Sequence, residues 1–109
     1  MSLIKTEVLE RLENTLNARK NADPTSSYTA KLFAKAPDSI LKKIGEECAE
    51  LIMATKDNQN EAIIYESADV LYHVMVLLAS RDLSISDVIN ELERREGVSG
   101  IAEKNARGK

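Results

Sequence analysis

From Glu46 to Glu96 the chain contains neither glycine nor proline. Its proline is confined to Pro24 and Pro37, and its glycine to Gly45, Gly97, Gly100 and Gly108. The β-branched residues are scattered and form no alternating runs, so the unbroken stretch reads as helix and the chain as all-α. A length of 109 residues fits one domain, 1–109, with 98–109 as a mobile tail.

Helical spacing of Leu3, Ile4, Val8, Leu12 and Leu16 predicts a first helix over 3–20. Residues 21–27 are polar around Pro24 and read as a loop, and Ser27 is placed to cap a short helix over 28–34. Pro37 and Asp38 open a helix over 39–56 with an inward stripe of Ile40, Leu41, Ile44, Cys48, Leu51 and Ile52. The run 57–60 is a tight connection. The next helix, 61–80, is apolar nearly all round. Ser84 with Asp87 forms a capping-box start for a last helix over 85–96, with Ile85, Val88, Ile89 and Leu92 inward and Gly97 at its C′ position. Four or five short helices cannot cover the 61–80 helix from all sides. A helical bundle completed by homodimerisation is therefore expected.

Composition narrows the chemistry. Fifteen Lys and Arg face eighteen Asp and Glu, a net charge of -3 that speaks against general nucleic-acid binding. Aromatics are 4% with no Trp, too few for single-strand stacking platforms. Nothing at the start resembles a signal peptide, and the longest apolar run, Val74 to Ala79, falls far short of a membrane span. A cytoplasmic protein without a membrane partner is the expectation. With one His and one Cys in the chain, any metal must be held by carboxylates.

Carboxylates are available in register. Glu46, Glu47 and Glu50 line one side of the 39–56 helix, at i, i+3 and i, i+4 spacing. Glu66 and Asp69 repeat the i, i+3 spacing on the most apolar helix, and His73 continues their stripe. If the two helices fold back at 58–59, equal rise brings Glu50 opposite Glu66 and Glu47 opposite Asp69. Four like charges that close repel unless a cation sits among them. Oxygen ligands suit hard divalent ions, Mg2+ first and Mn2+ second. A di-iron centre wants Glu-x-x-His on two helices, and this chain has one His, so that reading is weak. Glu46 or Glu61 taken singly reads more simply as solvated surface. His73, alone on a buried helix, reads more readily as a structural hydrogen-bond partner than as a ligand. Tyr65 and Tyr72 read as packing residues, though either ring can stack on adenine.

The pattern Glu46-Glu47-x-x-Glu50 followed by Glu66-x-x-Asp69 resembles the signature of the all-α, MazG-like nucleotide pyrophosphohydrolases. Ser27 to Leu32, Lys42 to Glu47, Glu66 to His73 and the tail through Glu103-Lys104 look closer still to the phosphoribosyl-ATP pyrophosphatases of histidine biosynthesis. That resemblance covers almost the whole chain. It implies Mg2+-dependent hydrolysis of phosphoribosyl-ATP to phosphoribosyl-AMP and pyrophosphate. It also implies metal ligation by Glu47, Glu50, Glu66 and Asp69, with Glu46 as a further ligand or base beside Glu47. Basic residues must then hold the phosphates, from among Lys42, Lys43, Arg81, Arg94, Arg95, Lys104 and Arg107, with His73 added to the substrate set. The tail from Val98 is expected to order over the substrate. A broader nucleoside-triphosphate pyrophosphohydrolase and a non-catalytic dimerisation module are the alternatives.

Overall fold

The structure is a computed structural model that describes residues 5, 7–98 and 100–108, leaving out the side chains at 102 and 103. Leu3 and Ile4, read above into the first helix, lie outside the described residues. The chain forms α1 (Glu7–Arg19), α2 (Tyr28–Ala34), α3 (Asp38–Lys56), α4 (Asn60–Ser80), α5 (Ile85–Arg94) and α6 (Gly100–Arg107). It is all-α, with no strand among the described residues.

Local chemistry accounts for most of the boundaries. Ser27 Oγ accepts the Ala30 amide at 3.1 Å and so starts α2. Ser39 Oγ donates to the Leu32 carbonyl at 2.7 Å, which ties the end of α2 to the first turn of α3. Between α3 and α4 the chain reverses through Asn58, at φ 60°, a conformation asparagine tolerates better than most residues. The result is a long antiparallel pair, α3 against α4, and it is the principal packing of the molecule. At the start of α5, Ser84 and Asp87 make a reciprocal capping box.

Leu16, Leu32, Ile40, Met75, Val76, Ala79 and Ile85 form the core, so every helix from α1 to α5 contributes. Leu16, Ile40 and Val76 are its largest fully buried side chains. The rest of the apolar surface is not enclosed by one chain. Leu41 and Ile52 on α3, and Ile64, Tyr65 and Leu71 on α4, are exposed. By length and mean hydropathy of 1.5, α4 alone would suffice to cross a bilayer. Here it carries Glu66, Asp69 and a buried His73 and pairs with α3.

Several expectations are corrected. Leu41, Cys48 and Ile52, read as inward on α3, and Tyr65, read as packing, are exposed. Ile89 and Leu92, read as inward, are exposed on α5. The helix ends at Arg94 with Arg95 as its C-cap, so Gly97, at φ 76°, lies one position beyond C′. Residues 100–107, read as part of a mobile tail with no helix assigned to it, form α6. Ile101 on α6 and Val98 just before it are exposed.

Candidate functional site

The α3–α4 pair sets the site. Glu47 lies on the face of α3 turned to α4 and is 5% exposed. Glu66 and Asp69, one turn apart on α4, are half-buried opposite it. One carboxylate oxygen from each of Glu47, Glu66 and Asp69 lies within 4.8 Å of the others. Glu50, exposed on α3, acts on Glu66 as a neighbouring like charge. Glu46 is exposed at the edge of the group.

The electrostatics are those of crowded acids. Burial, then the Glu50 charge, then Glu47 push the Glu66 carboxyl from an ordinary 4.5 up to about 7. Burial and the adjacent Glu47 carboxylate also raise Asp69. Lys43 is the nearest cation, 3.3 Å from Glu47 and 3.5 Å from Glu46. Burial opposes its charge, but Glu47, Tyr28 and Glu46 outweigh that and raise its pKa. One ammonium cannot balance the group. Glu47 Oε2 and Glu66 Oε1 are buried, and among the described residues no hydrogen-bond donor reaches them. Leaving a buried oxygen unpaired is costly. Three converging carboxylates with two unpaired buried oxygens fit a cation with oxygen ligands, and do not fit a soft metal.

The site is tied to α2 by two hydrogen bonds. The Tyr28 hydroxyl lies 3.1 Å from His73 Nε2, and Thr29 Oγ1 lies 2.6 Å from the Tyr72 hydroxyl. His73 Nδ1 is 2.8 Å from the Asp69 carbonyl oxygen, so both ring nitrogens are engaged within the chain.

Residues 9–96 match the family described as phosphoribosyl-ATP pyrophosphohydrolase. The chain belongs to this family. A phosphoribosyl-ATP pyrophosphatase from Dechloromonas aromatica is 64% identical over 102 residues, which is 94% of this chain and 94% of that protein. Another, from Rhodobacter capsulatus, is 57% identical over 92% of this chain and 97% of its own. A histidine biosynthesis bifunctional protein from Wolinella succinogenes is 56% identical over 92% of this chain and 44% of its own length.

In this member of the pyrophosphohydrolase family, no hydrogen bond or ion pair among the described residues joins the remaining basic residues singled out above to the carboxylate group. Lys42 on α3 and Arg81, the C-cap of α4, are exposed. Arg95 pairs with Glu91 at 3.0 Å, and Arg94 pairs with the same carboxylate at 2.7 Å. Lys104 and Arg107 stand exposed on α6. Sequence reasoning missed Tyr28 and Thr29 as partners of α4. Ser27 to Leu32 is legible as a motif, but only folding brings its tyrosine to His73.

Proposed function

We propose that this chain hydrolyses phosphoribosyl-ATP to phosphoribosyl-AMP and pyrophosphate, the second step of histidine biosynthesis, with Mg2+ held by Glu47, Glu50, Glu66 and Asp69. The observation that carries the reading is the convergence of three carboxylates with two unpaired buried oxygens, in a chain of this family. The substrate is the one for which the relatives are named. Bound Mg2+ would neutralise phosphate charge and make an attacking water more acidic.

The protein's own part is positioning and proton transfer. The partly buried Glu66 and Asp69 and the buried Glu47 need no reorganisation to form an anionic cradle. Glu46, exposed at its edge, orients the water and accepts its proton. The water oxygen forms a bond to phosphorus as the α–β anhydride bond breaks, and that electron pair leaves on the pyrophosphate oxygen. Lys43 and Lys42 border the cradle, while Arg81, Arg95, Lys104 and Arg107 supply further phosphate contacts. His73, with both nitrogens engaged, serves the substrate through Tyr28 and not by direct contact.

The working unit is a homodimer in the cytoplasm. A second copy covers the apolar faces of α3 and α4 that one chain leaves open. The segment from Val98, including α6, closes over bound substrate.

Pyrophosphate release from phosphoribosyl-ATP with Mg2+, beside ATP and deoxynucleoside triphosphates, tests the reading. The expected preference for phosphoribosyl-ATP in kcat/KM is roughly a hundredfold or more. Equal turnover of ATP would replace it with a broader pyrophosphohydrolase. No turnover of any of them would favour the dimerisation module.

A further inference from the structure

We infer that the ring of Tyr28 is the surface on which the purine base of the substrate stacks, held at the mouth of the carboxylate group by His73. The inference rests on the phosphoribosyl-ATP reading and names a contact within it. Tyr28 is the first residue of α2, and its side chain is 53% exposed although Thr29, Ala30 and Leu32 beside it are buried. An exposed tyrosine ordinarily turns freely. This one does not, because its hydroxyl is tied to a buried side chain.

The direction of that tie follows from the donors. A carbonyl oxygen only accepts, so His73 Nδ1, 2.8 Å from the Asp69 carbonyl, carries the hydrogen. Nε2 then presents its lone pair, and the Tyr28 hydroxyl donates to it at 3.1 Å. Thr29 to Tyr72, at 2.6 Å, fixes the same turn of α2 to α4 at a second point. The Tyr28 and His73 rings meet edge to face at 86°, with centroids 6.2 Å apart, so the histidine does not stack on the tyrosine.

The position of the ring matters as much as its rigidity. Through His73 its hydroxyl is linked to the carbonyl of Asp69, so the ring stands beside the turn of α4 that carries the carboxylate group. Of the parts of the substrate, only the base has a π face to set against a half-exposed ring. The other tyrosines fit less well. Tyr65 is exposed without a hydrogen-bond anchor among the described residues, and Tyr72 is half-buried with its hydroxyl on Thr29. His73 is thus a positioning residue for Tyr28.

Steady-state kinetics of wild type, Tyr28→Phe, Tyr28→Ala and Tyr28→Leu with phosphoribosyl-ATP tests this, with inorganic pyrophosphate as a base-free competitor. Loss of one stacking contact predicts a KM raised about 5- to 150-fold in Tyr28→Ala and Tyr28→Leu. Unchanged kcat and an unchanged pyrophosphate inhibition constant are expected with it, as for uniform binding. Tyr28→Phe keeps the ring but loses its bond to His73, so its KM rises less than in Tyr28→Ala. Unchanged KM in Tyr28→Ala and Tyr28→Leu would overturn the inference. So would a pyrophosphate constant that rises in step with KM, or a Tyr28→Phe as impaired as Tyr28→Ala. Should the wild type release no pyrophosphate from phosphoribosyl-ATP, the substrate reading falls first and takes this contact with it.

Discussion

Glu66 shows how the site is balanced. Its carboxyl is held at about 7 by burial and by Glu50 and Glu47, so near neutrality the metal-free protein holds it partly protonated. A raised folded-state value means that Glu66 favours the folded state below its ordinary 4.5, and that this contribution is lost as pH rises towards 7. The Tm of metal-free protein should therefore fall between those limits, and Glu66→Gln should flatten the fall. Calorimetry across that range checks it. Cation binding requires the ionised carboxylate and releases its proton. Mg2+ affinity should rise with pH over the same window, with protons released into the buffer, and titration calorimetry in two buffers measures both. Identical Mg2+ affinity below and above the window would contradict the placement of Glu66 among the ligands.

Elements record what a sequence can and cannot announce. The start of α5 is held by Ser84 and Asp87, and also by Glu13 on α1. One Glu13 oxygen accepts the Ile85 amide at 2.7 Å and the other the Ser84 hydroxyl at 3.1 Å. Glu13→Ala should destabilise the fold by about 1–2 kcal/mol, as loss of a capping acceptor does, with activity kept at temperatures where the protein is folded. Denaturant melts with an activity assay separate the two effects. The local caps, Ser27 and the Ser84–Asp87 box, were legible because donor and acceptor lie within three residues of each other. The facing of Glu47 with Asp69 and of Glu50 with Glu66 was legible for a related reason. A tight reversal at Asn58 fixes the register, and counting back from it suffices. Glu13 was not legible, since its partners lie some seventy residues away. Nor were the outward positions of Leu41, Cys48, Ile52, Ile89 and Leu92. Periodicity identifies an apolar face but does not say whether the same chain covers it. Helix α6 escaped notice because its sequence is polar, and polarity argues against burial, not against helix. Truncation after Gly97 should raise KM for phosphoribosyl-ATP while leaving Tm little changed, and unchanged KM would remove α6 from the substrate-binding account.

At the scale of the molecule, one chain is more open than its length warrants. Its radius of gyration is 16.1 Å, against about 13 Å for a compact domain of some 100 residues. The exposed Leu41 and Ile52 on α3 and Ile64 and Leu71 on α4 lie on the two longest helices, as a bundle shared between copies requires. Sedimentation should give twice the 12.1 kDa chain mass, and Ile64→Asp should shift the protein to the monomer. A wild type sedimenting as a monomer would leave those faces unexplained. On the proposed function, acids on α3 and α4 form one cation-holding catalytic centre. Pyrophosphate release from phosphoribosyl-ATP by Glu47→Gln, with its Tm measured alongside, tests it most directly. A folded variant whose Mg2+-dependent release drops to background is expected, and a folded Glu47→Gln with full activity would rule that centre out.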